Sequence, residues 1–291
     1  MGRSALLLVN PHKPAAATAA AEVRALIEKH GRLVAELPAD SSPLPAAARG
    51  AELIVVFGGD GTLLSQARRC AAPGMAMLGV NMGRLGFLAE FDMPALREQA
   101  AGIFGSGDLV IQSFSLIQVR VLPAKGEAAR FEGMALNEAV ITAGPPYRMI
   151  SLAFSIDGHT GPTMSGDGVI ISSPLGSTAY NLSAGGPILA PTVDGFAITP
   201  IAAHSLSVRP VVVPGHSRIE IKAIKVNQEL SPGTTLVLDG QVQAPVLPGD
   251  RILIERHPSS IRFVQNPRSD YWSRLIGKMN WSVAPKGDGG H

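Results

Sequence analysis

The first third of the chain alternates short apolar runs with stretches of helical pattern. Ser4 to Val9 is a continuous apolar run that stops at Asn10-Pro11, the pattern of a buried strand. Ala15 to His30 has helical composition and ends at Gly31, a residue suited to a helix C-terminus. Leu33–Leu37, Leu53–Phe57 and Ala76–Val80 read as further strands, with helices predicted over Thr62–Cys70 and Pro94–Phe104. Strands alternating with helices predict a parallel α/β sheet.

The pattern changes near residue 110. Strand-like runs then follow one another: Leu116–Leu122, Ala135–Thr142, Ile150–Ile156, Val169–Ser172, Val211–Val213, Ile219–Ile224, Thr235–Leu238 and Arg251–Glu255. Turn dipeptides such as Asp157-Gly158, Pro214-Gly215 and Asp239-Gly240 separate them. This is the signature of an all-β sandwich or barrel. One helix is predicted inside it, Thr178 to Ala184, and another after it, Asp270 to Met279. The expected organisation is an α/β N-terminal domain with a parallel sheet over 1–110 and a sandwich-like all-β domain over 111–267. The C-terminal helix and tail, 268–291, would pack back on the first domain, with Gly287 to His291 frayed.

Composition narrows the classes. The 291 residues are 46% apolar, enough for two cores, and the 32 Gly and 23 Pro sit between apolar runs as turns. A net charge of +2 gives no global field toward nucleic acid or a membrane, so neither is expected as a partner. The one cysteine, Cys70, excludes an internal disulfide framework, and the seven histidines show no metal-ligand spacing, so no protein-held metal is expected. The apolar run after Met1-Gly-Arg is too short for a signal peptide or a membrane span, and a cytoplasmic protein is expected.

Candidate chemistry concentrates where the run Leu53–Phe57 meets Gly58-Gly-Asp-Gly-Thr62. The C-terminal end of a strand, a glycine loop and a helix start form a common ligand position in α/β sheets. Glycines permit close backbone approach, and a helix N-terminus offers N–H groups to phosphate oxygens. The P-loop pattern is absent, and the third glycine of the dinucleotide fingerprint is missing. A carboxylate in such a place needs a reason. Asp60 takes a hydroxyl proton during phosphoryl transfer, meets a metal, or sits in a turn and caps the following helix. Asn137-Glu138 is either a strand edge or a polar pair for a ligand. Gly176-Ser-Thr-Ala-Tyr180 reads as a helix start with Ser177 or Thr178 as N-cap. Asp167, between two glycines, is either a turn residue or a contact.

Gly58-Gly-Asp-Gly-Thr62 resembles the signature shared by NAD, diacylglycerol and phosphofructo-kinases. Further segments are similar to the NAD kinase family, in order and at suitable spacing: Asn81-Met-Gly-Arg-Leu-Gly-Phe-Leu88, Asn137–Ile141, Gly166–Pro187, Pro200–Pro210 and Asp239-Gly-Gln241. The resemblance implies transfer of the ATP γ-phosphoryl to the adenosine-ribose 2′-hydroxyl of NAD, giving NADP, with Mg²⁺ accompanying the donor. It implies Asp60 as catalytic base and Gly58, Gly59 and Thr62 as phosphate-binding. It implies NAD contacts from Gly61, Asn137, Glu138, Arg148, Asp167, Thr178, Ala179, Tyr180, Ser183, His204 and Gln241. Asn137 would meet the adenine side, Glu138 the ribose, and Tyr180 would stack on the base. Asp167 would reach a dinucleotide bound in a neighbouring subunit, which requires a homo-oligomer, a dimer or a tetramer. Two positions depart from the family. Leu175 stands where a hydroxyl residue is usual, and Ser165 where an arginine is often found. The alternatives are a diacylglycerol- or sphingoid-type lipid kinase, which shares the glycine–aspartate loop, and a non-catalytic NAD(P)-binding regulator.

Overall fold

Strand β1 (Ser4–Val9) is buried along nearly its whole length, as its unbroken apolar run requires. The structure is a computed structural model that describes residues 2–10, 14–71, 75–81 and 86–279. Residues 82–85 of the Asn81–Leu88 segment, and the tail expected to fray, lie outside the described residues. After β1 come α1 (Pro14–His30), β2 (Arg32–Pro38), β3 (Leu53–Phe57), α2 (Asp60–Arg69), β4 (Ala76–Val80) and α3 (Met93–Phe104). The helix α1 stops at Gly31, whose N–H still donates to Ile27 O at 2.7 Å. Asp92 caps α3, its side chain accepting from the Ala95 N–H at 2.8 Å.

These elements belong to a first unit, residues 1–113 and 262–291. Its strands run parallel in the order β2-β1-β3-β4, an α/β arrangement. Apolar residues of β1, β3 and β4 share one core with Val23 and Ile27 of α1 and Leu96, Ile103 and Phe104 of α3. Arg262 and Phe263 pair with β4, and the last helix is built into this same unit.

The second unit, residues 114–261, is all-β apart from one short helical stretch. Its elements are β5 (Ile111–Leu122), β6 (Phe131–Ala135), β7 (Glu138–Thr142), β8 (Ile150–Ile156), β9 (His159–Gly166), β10 (Gly168–Ser172), α4 (Tyr180–Ser183), β11 (Gly195–Ile201), β12 (Val211–Pro214), β13 (Ile219–Lys225), β14 (Thr235–Leu238), β15 (Val242–Pro245) and β16 (Arg251–Val264), with β5 and β16 crossing its boundaries. Helix α5 (Tyr271–Met279) closes the described chain in the first unit. One sheet has six antiparallel strands in the order β12-β11-β10-β7-β14-β15. The strands β16-β13-β8-β9 form an antiparallel run beside which β5 and β6 pair. Ile141, Ile171, Ile198 and Leu236 from the six-stranded sheet interlock with Ile117, Leu152, Ile221 and Ile252 in one core, so the unit is a sandwich. The pattern over Ala135–Thr142 predicts one strand, whereas the chain breaks into β6 and β7. The reason is Asp239. Its carboxylate takes the N–H groups of Leu136, Asn137 and Glu138, so these donors turn aside for a side chain.

Candidate active site

The first group of candidate residues lies at the C-terminal end of β3. Helix α2 begins at Asp60 rather than at Thr62, with Gly59 as its N-cap and no side chain capping it. Gly58 must be glycine, because a Cβ there would stand 2.7 Å from the Thr62 Cβ. The Thr62 and Leu63 N–H groups both return to Gly59 O, at 2.9 and 3.1 Å, which fixes the first turn. Asp60 therefore sits at the positive end of α2, where a negative charge is stabilised.

The Asp60 side chain does not cap its own helix. It accepts from the N–H groups of Phe87 at 2.8 Å, Leu88 at 3.2 Å and Ala89 at 3.2 Å. A Cβ on Gly86 would lie only 1.7 Å from Asp60 Oδ1. The segment Gly86–Ala89 is thus a backbone cradle shaped to one carboxylate. These four residues contribute to the site through main chain and an absent side chain. The Gly-Phe-Leu of the family-like segment was the only signal for them.

A second group lies in the second unit, at one end of the six-stranded sheet. Asn137 precedes β7 and Glu138 opens it, Ser172 ends β10 opposite Glu138, and Asp239 follows β14. Asp239 ties these together, since its own N–H donates to Glu138 O at 3.0 Å. Gly176 lies flat on Asn137; a Cβ there would meet Asn137 O at 2.2 Å. Ser173 secures this contact through Leu136 O at 2.6 Å and the Gly176 N–H at 3.1 Å.

The chain then enters a short 3-10 turn, Leu175–Thr178, before α4. Neither Ser177 nor Thr178 caps α4; Ala179 holds that position without a side-chain bond. Ser177 is instead buried, bonded to Pro174 O at 2.6 Å and to both backbone groups of Leu189. Asn181, also buried, donates to Ser177 O and Pro187 O and accepts from Thr199. This polar network fixes the outer face of the segment, where Thr178 and Ala179 are half-buried and Tyr180 and Ser183 exposed. Gln241, also exposed, follows Asp239-Gly240.

Glu138 is the electrostatic outlier of this group. It is buried, and its Oε2 finds no hydrogen-bond partner among the described residues. Burial, and secondarily the Asp239 carboxylate, pushes its carboxyl up to about 8. A buried polar atom without a partner is costly unless a ligand supplies one.

The remaining candidates lie elsewhere. Asp167 precedes β10 and Arg148 follows β7, so both leave from the opposite end of the strand pair that starts at Glu138. His204 joins them, with its N–H on Ser165 O at 2.8 Å. A five-residue strand separates the two sets by roughly 15 Å. Asp167 and His204 are exposed, and Arg148 pairs with exposed Glu229 at 2.8 Å. Leu175 is 9% exposed and packs as an apolar residue. Ser165 hydrogen-bonds Ser151 across the β8–β9 pair at 2.8 Å. Among the described residues no three His, Cys, Asp or Glu side chains gather as a metal cage.

Comparison with known proteins gives the family. The model of the ATP-NAD kinase N-terminal domain matches residues 40–108, and that of the C-terminal domain matches residues 136–266. The NAD kinase of Desulforamulus reducens is 39% identical over 228 residues, 78% of this chain and 77% of the relative. That of Geotalea daltonii is 41% identical over 236 residues, 79% of each chain. The crystal structure of yeast NADH kinase complexed with NADH shares the fold, with a TM-score of 0.83 over 98% of this chain and 89% of that one at 23% identity. An NAD kinase from Archaeoglobus fulgidus in complex with ATP gives 0.71 over 96% and 98% at 26% identity. With both domain models matched and relatives 39% and 41% identical over more than three quarters of the chain, neither the lipid kinase nor the non-catalytic alternative gains support, and the chain belongs to the NAD kinase family, phosphotransferases that make NADP.

Proposed function

We propose that Asp60 is the base of this kinase, orienting the adenosine-ribose 2′-hydroxyl of NAD and taking its proton as the phosphoryl group arrives. The observation that carries this role is the cradle of Gly86–Ala89, which spends three backbone donors and one missing side chain on a single carboxylate. A carboxylate held this firmly supplies position, and in a loose phosphoryl-transfer transition state position counts for more than basicity. Gly58, Gly59, Gly61 and Thr62 supply the backbone of a phosphate-binding helix start. ATP is the proposed donor. Mg²⁺ would enter as part of the MgATP substrate and, when bound, would offset the charge of the donor phosphates.

In the second unit, Asn137 offers donors and an acceptor to the adenine edge. Glu138 presents its unpartnered Oε2 to the ribose hydroxyls, and Tyr180 gives an exposed ring for stacking. Thr178, Ala179, Ser183 and Gln241 complete this set. Asp167, at the far strand end, serves a dinucleotide held by a neighbouring subunit of a homo-oligomer, a dimer or tetramer, and Arg148 and His204 are further NAD contacts at that end. The described residues contain no helix long and apolar enough to cross a membrane, and the buried thiol of Cys70 suits a reducing cytoplasm.

The direct test is to incubate the pure protein with NAD and Mg²⁺, with either ATP or polyphosphate, and measure NADP. Asp60→Asn should bind NAD as the parent does and lose about 10²–10⁴-fold in turnover, the usual range for a general base. Near-normal turnover would remove Asp60 from that role.

A further inference from the structure

The C-terminal helix brings a second charged group to the aspartate cradle. Lys278 on α5 places its ammonium 4.7 Å from the centroid of the Phe87 ring. Phe87 is the residue whose N–H holds Asp60 Oδ2 at 2.8 Å. The Asp60 carboxylate lies close enough to act on the ammonium electrostatically. Tyr271, seven residues earlier on α5, approaches the same ring at 6.4 Å between centroids. Leu275 buries the inner face of the helix between them.

The two cations on this face of α5 are treated differently. Arg274 is spent on the buried carboxylate of Glu90. Lys278 forms no ion pair with any carboxylate among the described residues and rests on the aromatic face. A ring holds an ammonium without cancelling its charge and leaves its N–H groups free to point away. Burial lowers the Lys278 pKa below the ordinary lysine value; Asp60 opposes this and Arg274 adds to it.

We propose that Lys278 binds the phosphoryl donor, its ammonium contacting the oxygens of the terminal phosphates as they approach Asp60. The inference rests on the reading of Asp60 as the base. It assigns the C-terminal helix a direct part in substrate binding, beyond packing on the first unit. A phosphate trianion set beside Asp60 alone would meet like charge; Lys278 offsets it from the same side. No atom of the lysine changes bonding during transfer.

Lys278→Met and Lys278→Arg, with ATP varied at saturating NAD, test the proposal. The methionine variant should raise the KM for ATP about 10- to 100-fold, the scale of one charge-assisted phosphate contact, and leave the KM for NAD within about twofold. The arginine variant should recover most of the loss. Calorimetry with MgATP in an Asp60→Asn background, with and without Lys278→Met, reads donor affinity free of turnover and should show the same weakening. Unchanged MgATP affinity in that background would overturn the proposal, and so would a fall in kcat alone with a lowered melting temperature, which marks a packing role. Normal turnover in Asp60→Asn itself would instead reject the base, while a Lys278-dependent ATP affinity would still stand.

Discussion

At the scale of single residues, Gly86 shows how tightly the site is specified. One added methyl would fall 1.7 Å from Asp60 Oδ1, so either the carboxylate or the Gly86–Ala89 backbone must move. Gly86→Ala should therefore fold, because its clash is with one side chain near the protein surface, yet lose turnover by at least about tenfold through misplacement of Asp60. Steady-state kinetics beside a melting curve checks this; full activity would mean the cradle does not position the base. Glu138 makes a different prediction. Its carboxyl moves from an ordinary value of 4.5 to about 8 on folding, so between these values the folded chain keeps a proton that the unfolded chain has released. Stability tied to that proton is complete below 4.5 and lost as the pH rises through about 8. Glutamine keeps the shape and cannot ionise. Glu138→Gln should match the parent in acid and exceed it by a few kcal/mol above about pH 8, while weakening NAD binding. Unfolding curves at both ends of this range that differ by the same amount would reject the shift as the cause.

At the scale of elements, α5 is anchored by a buried pair. Arg274 meets Glu90, which also accepts the Asn266 N–H at 2.9 Å, while Asn266 in turn is held by Gln99 of α3 at 3.2 Å. Burial still leaves the Glu90 carboxyl above its ordinary value, against the pull of Arg274 and the Asn266 N–H. Arg274→Met strands this carboxylate and should cost about 3–5 kcal/mol, less in acid, where Glu90 takes up a proton. Adding Glu90→Gln should recover most of the loss, and a double variant as unstable as the summed singles would show the groups uncoupled. Sequence patterning reached the elements unevenly, for physical reasons. Continuous apolar runs such as β1, β3 and β4 were plain because both faces are buried. Strand β9 leaves no strand pattern in the sequence because it is largely exposed and carries Gly161 and Pro162, which read as a turn. Strand β11 hid behind Pro200, and the outer half of β16 behind polar Arg256–Ser260. Asp60 was legible as a chemical group because glycines surround it. Its cradle was not, because backbone N–H groups from residues 87–89 carry no sequence identity. The strand break at Leu136–Asn137 depends on Asp239, more than a hundred residues away, a pairing no local pattern encodes.

At the scale of the whole molecule, the six-stranded sheet has candidate residues at both strand ends. Asn137 and Glu138 mark one end of β7, while Asp167 and the segments bearing Arg148 and His204 leave from the other, roughly 15 Å away. One chain with two such ends is suited to serving two dinucleotides, one its own and one a neighbour's. In a closed assembly each site would then combine Asp60 of one subunit with Asp167 of the next. Asp60→Asn and Asp167→Ala should each disable every site of their own homo-oligomer. In a mixed oligomer some sites inherit both intact residues and others neither. Coexpressing the two inactive variants should return activity, up to about a quarter of the parent's in a randomly mixed dimer by counting over symmetric pairs. The exposed position of Asp167 makes its alanine variant a small perturbation of the fold, so a loss of activity there reports on the site. Hetero-oligomers shown to form, by differently tagged copies, yet remaining as inactive as their parents would place Asp167 in the same subunit's site or outside any site.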